Sequence, residues 1–581
     1  MIPLPDPDLV ELFADPLLAR GLGPGDDLPY RALRQLTDGL TTGKPLLSDH
    51  QRLRTVLELC AVADPRLFHV MFLHHCMTTG AALDYGATAE DVAELATARS
   101  IGAALMTEAG HGNSSAGILT EASYDPANRE FVLHTPTAAA AKYPPNVAQE
   151  GLSRLAVVSA RLSVGGRDRG TWLFLVPLRD PAGVAAGVTI ERRPPTALLP
   201  LDYASVRFGH VRVPYHRWLA DGAAIDPDGT FHDPIGMPLA RTRRSLSMSR
   251  FAWGAVTAGL GAAARAAVAV ALRHAEHRLT VDRLAGEVPA LVHLNQQRLL
   301  FGALADALAA TVLAHRVTGA CWHIPPDGGR GSGPPANMMR ELSLAKATTN
   351  RLADNAVSRC RQAVGAAGFF SENRLIGYQA LTAAFHSAGG DNQLILLDAA
   401  WTMATGTDYR PPADNSPAPD FDPQNRVGLL RARERLLHRE LTAHLRAAQE
   451  QGTDGFTAWN SRTDLAQELA EAHAARTTAE ALLADWRPRT GPEAALLRDL
   501  YRIRCLEEVA AHSGWYLAEG LLTTAEICTL PTLLNEAVGR LAPRSGELIE
   551  LLRIPAGLLH GPLAGDDYCR DLASAPARFT D

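Results

Sequence analysis

A block of short, β-branched segments set between two long helical regions limits the folds open to this chain more than any other feature. From Asp8 to about Arg99, apolar residues recur at three- and four-residue steps, as in LVELFADPLLARGL, YRALRQLTDGL and HQRLRTVLELCAVA, which predicts helices. The texture changes at Ile101. EFVLHTP, LAVVSARLSV, TWLFLVPLRD, GVTIERR and SVRFGHVRVP are short and bounded by Gly, Pro or Asp, the pattern of antiparallel strands. After about Ile235 helical spacing returns, in Ala-rich stretches whose small residues let helices approach closely. The expected fold is α+β, mostly α. It comprises an N-terminal helical domain (1–100), a central antiparallel β-domain (101–235), a helical bundle (236–409) and an extra C-terminal helical domain (426–581). The Pro-rich, aperiodic stretch RPPADNSPAPDFDPQN (410–425) reads as the linker before the last of these.

Composition excludes several classes. A chain of 581 residues, 46% hydrophobic and 20% charged, is an ordinary globular protein of several structural units. Its net charge of −7 lacks the basic footprint of a nucleic-acid binder. No run reaches the roughly 18 uninterrupted apolar residues of a membrane helix; the nearest, Phe251 to Ala264, is cut by Arg265 and reads as a core helix. Seven scattered cysteines form no CxxC pair, which points to reduced thiols and no zinc site. The acidic start MIPLPDPDLVELFADP is unlike a signal peptide, and ARFTD is not a peroxisomal address of the S-K-L type, so a cytoplasmic location is expected. His69, His74 and His75 lie on an apolar segment without carboxylate or Cys partners at ligand spacing, and are expected to be packed, hydrogen-bonded histidines.

Two stretches carry candidate chemistry. Cys360 to Asp398 contains glycine turns at Gly365–Gly368 and at Gly389-Gly390-Asp391-Asn392, each beside a helix end. Bare N–H groups and positive dipole ends there suit an anionic or electron-rich group such as a flavin or phosphate. Glycine equally ends helices for structural reasons, so both readings stand. Thr107-Glu108-Ala109-Gly110-His111-Gly112-Asn113 is the second, either a simple glycine-bearing connection or a ligand loop. PPDGGRGSGPPAN (325–337) has glycines near dinucleotide spacing but no preceding strand, and reads as a surface loop.

CRQAVGAAGFFSENRL followed by GGDNQLILL resembles the corresponding segment of the acyl-CoA oxidase branch of the acyl-CoA dehydrogenase superfamily. There, C-R-x-x-x-G-G-x-G-[YF] leads through E-N-R-L to F-E-G-[DE]-N. TEAGHG and TEASYDPANREFVLHTPT resemble its flavin loop, and Glu507–Gly520 its E-E-x-x-x-x-x-G-W-[YF]-L-E-x-G pattern. The resemblance spans nearly the whole chain and implies FAD, an acyl thioester on CoA or a carrier protein, O2 as acceptor, and a homodimer.

It further implies that Thr107 bonds the isoalloxazine edge and that Gly112 lets the backbone approach the ring. Asn146 stands where the family's K-W-W-P-G-G has glycine, in KYPPN. Arg278 stands at an arginine that reaches the FAD pyrophosphate of the partner subunit, and Gly365 and Asn392 lie in the two flavin-binding turns. The family's catalytic Glu is replaced by Gly389, and the other position that sometimes supplies a base falls near Ser249-Arg250, which is not acidic.

Three readings follow. A relocated base, Asp391 or His386, keeps acyl thioester oxidation; or the chain is a flavin monooxygenase fed by a partner reductase; or it is a non-catalytic member.

Overall fold

The computed structural model describes all residues except 1–3, 16–17, 19–24, 26, 41–43, 115–116, 326–330, 332, 414–425 and 575–581. Most of the expected linker, and six of the thirteen residues of the 325–337 loop, therefore lie outside the described residues. The chain divides into two compact units, Glu11–Val256 with Thr318–Leu342, and Met1–Val10 with Thr257–Val317 and Ser343–Asp581.

The first unit begins with helices α1 (Leu28–Leu40), α2 (His50–Ala63) and α3 (Pro65–Phe72). Asp49 caps α2 by accepting the Arg52 amide, and Asp64 caps α3 by accepting that of Arg66, with Pro65 in the first turn where no N–H is needed. A π-helical turn, Leu73–Thr78, follows before α4 (Thr79–Tyr85) and α5 (Ala89–Ala96). The Thr78 and Thr79 hydroxyls donate to the carbonyls of Leu73 and His74, five residues back, at 2.9 Å. The three histidines are packed and bonded. His74 Nδ1 accepts the Gly102 amide at 2.8 Å, His75 Nε2 meets the Thr37 hydroxyl at 3.2 Å, and His69 Nε2 meets Asn146 Oδ1 at 2.9 Å. A Cβ on Gly102 would lie 2.7 Å from that of Thr78, so only glycine lets the first strand pass this turn.

The sheet comprises β1 (Ile101–Leu105), β2 (Glu121–Asp125), β3 (Glu130–His134), β4 (Arg154–Val164), β5 (Arg167–Asp180), β6 (Gly183–Val184), β9 (Val211–Pro214) and β10 (Trp218–Leu219). β7 (Val188–Arg192) and β8 (Ala204–Phe208) pair separately. Most pairings are antiparallel, as expected, but β4 runs parallel to both β1 and β2. The expectation of a wholly antiparallel domain missed these two pairings because strand periodicity reports which face is buried and not which neighbour a strand takes. Trp172, Phe174, Phe131 and Trp218 form the aromatic centre of its core.

A buried, charge-balanced lattice ties this unit together. Arg244 pairs with Asp84 and Asp221 at 2.9 Å, Arg241 with Asp221 at 2.5 Å and with Asp233, and Arg250 with Asp84 at 3.0 Å.

Helices α6 (Pro238–Leu246), α7 (Ser249–His277), α8 (Leu294–Trp322) and α9 (Ala336–Val364) follow the sheet, and the unit boundary falls inside the last three. The second unit adds α10 (Leu375–Ala384), α11 (Asn392–Thr405), α12 (Arg426–Glu450), α13 (Thr463–Trp486) and α14 (Gly491–Ala511). Leu344, Ile395, Met403, Leu437 and Leu469 join α9, α11, α12 and α13 in one core. Gly302 is needed on α8 because a Cβ there would lie 2.2 Å from Arg359, which pairs with Glu507 at 2.9 Å. By average hydropathy, the segments Pro238–His277 and Leu294–Trp322 are apolar enough to span a membrane, but their apolar windows are 100% and 83% buried within the protein. Arg265, which interrupts the first, is itself buried and donates to the Leu552 carbonyl at 2.8 Å.

Candidate functional site

The first unit presents the loop after β1. Glu108 is buried, and its carboxylate accepts Lys142 Nζ at 3.0 Å, the amides of Leu119 and Thr120 at 2.8 Å and the Thr120 hydroxyl at 2.6 Å. Burial works against its charge, but Lys142 and these donors outweigh it and hold its pKa below the usual value. Lys142, fully buried, is pushed down to about 8 by desolvation against the pull of Glu108. The pair clamps the loop at both ends, helped by Ala109 N to Ala141 O at 2.9 Å and Tyr143 N to Thr107 O at 3.0 Å.

Thr107 is exposed on this clamp, and its hydroxyl bonds no described residue. Gly110 is required by packing, since a Cβ would sit 2.6 Å from that of Ala139, whereas the space over Gly112 is open for 4 Å. Asn146 is buried, its carbonyl oxygen turned to His69 on α3.

The second unit presents the two glycine turns. α9 ends at Gly365, whose φ of +67° is the left-handed conformation that closes a helix. The Arg361 guanidinium then bonds the Gly368 carbonyl at 3.1 Å and the Gln379 side chain. Asn373, fully buried, donates to Ala367 O at 2.9 Å and accepts the Leu563 amide at 3.2 Å, so the segment around Leu563 docks on E-N-R-L.

The turn between α10 and α11 is closed by Asn392 N to His386 O at 2.9 Å. Both Gly389 and Gly390 have positive φ, +69° and +99°. Lys346 on α9 reaches into this turn and donates to Phe385 O at 2.7 Å, Gly390 O at 2.5 Å and Asn392 Oδ1 at 2.9 Å. Burial pulls Lys346 down to about 7 against the charge of Asp391. Asn392 Nδ2 continues the network to Asn350 at 2.6 Å, so Asn392 is an internal brace of the turn.

The two base candidates share this loop but differ in occupation. Asp391 is the N-cap of α11, and its Oδ1 accepts the amides of Gln393 and Leu394 at 2.9 and 3.2 Å. His386 is half-exposed, with Nε2 3.6 Å from Asp354, which in turn accepts the Thr382 hydroxyl at 2.6 Å. Near Ser249, Arg250 is buried, donating to the carbonyls of Cys321 and His323 at 2.7 and 2.8 Å. Arg278 is exposed between α7 and the hairpin Leu279–Asp282/Gly286–Pro289.

Sequence reasoning weighed neither Glu108–Lys142 nor Lys346 with Asn350. The signal available for Lys346 was a lone cation in the otherwise uncharged run SLAKATTN.

Two family models match the chain: the acyl-CoA oxidase C-alpha1 domain over residues 251–403 and the acyl-CoA oxidase model over residues 422–567. These matches, with the relatives and folds below, support the acyl-CoA oxidase branch of the acyl-CoA dehydrogenase superfamily. Among its relatives, the acyl-coenzyme A oxidase-like protein of Mus musculus is 27% identical over 79% of this chain and 77% of its own length. Peroxisomal acyl-coenzyme A oxidase 2 of Oryctolagus cuniculus is 26% identical over 73% of this chain and 66% of its own.

The fold is also that of acyl-CoA oxidase 1 from Yarrowia lipolytica, with TM-score 0.84, 19% identity, and coverage of 99% of this chain and 91% of that one. Acyl-CoA oxidase-1 of Caenorhabditis elegans, solved with FAD and ATP, gives a TM-score of 0.83 at 19% identity, again over 99% and 91%. Acyl-CoA oxidase-2 of that organism, solved with FAD, ascaroside-CoA and ATP, gives 0.78 at 19% identity over 99% and 96%.

Proposed function

We propose that this protein is an FAD-dependent oxidoreductase that α,β-desaturates an acyl thioester, with O2 as the final acceptor. The observation that carries the reading is the Thr107 hydroxyl, held outward on a loop clamped by the buried Glu108–Lys142 pair and engaged by no described residue. The residues fit FAD. Thr107 offers a hydrogen bond, and the open space over Gly112 admits a flat ring. Bound FAD would supply the hydride acceptor.

Proton removal falls to this chain's side chains. His386 is the better placed of the two candidates, because it is half-exposed with Asp354 3.6 Å from Nε2, whereas Asp391 is committed to capping α11. CoA is the favoured carrier, supported by the names of the relatives and by the ascaroside-CoA bound to the nematode oxidase. Exposed Arg278 fits a homodimer in which it reaches the partner subunit's FAD. A cytoplasmic location is supported by seven free thiols, five of them buried.

Gly389 favours the monooxygenase as second reading, since that chemistry needs no carboxylate at this position. Steady-state assays with a panel of acyl-CoAs separate the two: thioester-dependent hydrogen peroxide without added reductant supports the oxidase. Oxygen uptake only with a supplied reductase supports the alternative.

A further inference from the structure

Between α8, α13 and α14, within the second unit, lies a cavity of about 150 Å³ that none of the flavin turns touches. Leu308, Val312, Leu482, Leu497 and Leu500 supply most of its wall. Trp486 and Glu493 in this wall carry the polar atoms that matter. Trp486 Nε1, a buried donor, has no acceptor among the described residues. Glu493 Oε1, a buried acceptor, has no hydrogen-bond donor among them, its only charge partner being Arg489 at 3.5 Å. Asp485 also lines the cavity and is bound by Arg489 at 2.8 and 2.9 Å.

We infer that this cavity is a binding site for a small apolar alcohol or phenol. The volume matches one aromatic ring or a short aliphatic chain, since an apolar cavity of about 150 Å³ takes up benzene. The two orphan atoms ask for opposite partners, a donor for Glu493 and an acceptor for Trp486, and a hydroxyl is the smallest group that is both. A plain hydrocarbon leaves both unmatched, at the cost of buried unsatisfied polar groups. A carboxylate is acceptor-only and leaves Glu493 without its donor. The inference is independent of the flavin chemistry, because it uses no residue of the flavin turns.

The test is calorimetric titration of the full-length protein with phenol, benzene and benzoate. Phenol is expected to bind with a Kd below about 1 mM, and benzene and Trp486→Phe each to bind or be bound about fivefold to tenfold more weakly. Benzoate is expected not to bind. Leu497→Trp, which fills the cavity, abolishes phenol binding, with circular dichroism reporting whether it has folded; Trp486→Phe carries the test if it has not. No phenol binding in the wild type would mean that the cavity holds only water and would overturn the inference. So would phenol binding that Trp486→Phe leaves unchanged, or benzoate binding as tightly as phenol.

Discussion

Lys346 and Asn392 are 46 residues apart in the chain, and Lys346 Nζ donates to Asn392 Oδ1 at 2.9 Å. The same ammonium holds the carbonyls of Phe385 and Gly390, so one buried cation fixes a turn whose sequence is otherwise permissive. Lys346→Met leaves three oxygens without their donor. It is expected to cost about 2–3 kcal/mol and to weaken FAD binding, measured by thermal unfolding and flavin titration.

Gly389 is more than a missing side chain, because the backbone there is left-handed. Gly389→Ala meets no clash, its Cβ lying 3.9 Å from Lys346 Cε, but carries the left-handed strain of about 1–2 kcal/mol. Glu restored at this position inherits the same strain. The lower unfolding midpoint of both variants checks this.

Thr107→Val should leave the apo-protein's unfolding midpoint unchanged, because the hydroxyl touches no described residue. FAD affinity should fall about fivefold to tenfold, the worth of one hydrogen bond. Equal FAD affinity would remove Thr107 from the cofactor site.

His386 and Asp391 separate kinetically. His386→Gln should slow flavin reduction by about a hundredfold or more in single turnover. Asp391→Asn keeps a capping side chain and should change that rate little, with a loss of stability below about 1 kcal/mol.

Acid titration reports on Glu434, which is buried and accepts Tyr409 Oη at 2.5 Å, His473 Nδ1 at 2.8 Å and the Arg476 guanidinium. Burial opposes its charge, but His473 and Arg476 prevail and lower its pKa from 4.5 to about 2. The folded state thus binds this proton less readily than the unfolded chain. The stabilisation is complete above pH 4.5 and is lost as the pH falls towards 2. Glu434→Gln should flatten the pH dependence of unfolding in that window and cost about 3 kcal/mol at pH 7.

What the chain disclosed in advance was what short segments encode. Periodicity announced α2 and β5, and the sequence around Thr107 announced a glycine-bearing loop, because each is local. Glu108 and Lys142 meet across 34 residues, and no spacing rule joins them. Lys346 lies one helical turn before Asn350, the other partner of Asn392, and its role appears only when α9 packs beside the turn. Asn392 was legible as part of a motif, but its partners Lys346 and Asn350 were not. Asp391, a candidate base by sequence, is a helix cap, a role its place before an apolar helix permits but does not single out.

The most direct test of the central claim is anaerobic mixing of the FAD-loaded protein with a panel of acyl-CoA thioesters, following the oxidised-flavin absorbance. Bleaching without any added reductant is the predicted result, since the substrate itself then delivers the hydride to a site that still has a base. A flavin that stays oxidised with every thioester, in protein that binds reduced flavin and consumes O2, would contradict acyl thioester oxidation and favour the monooxygenase.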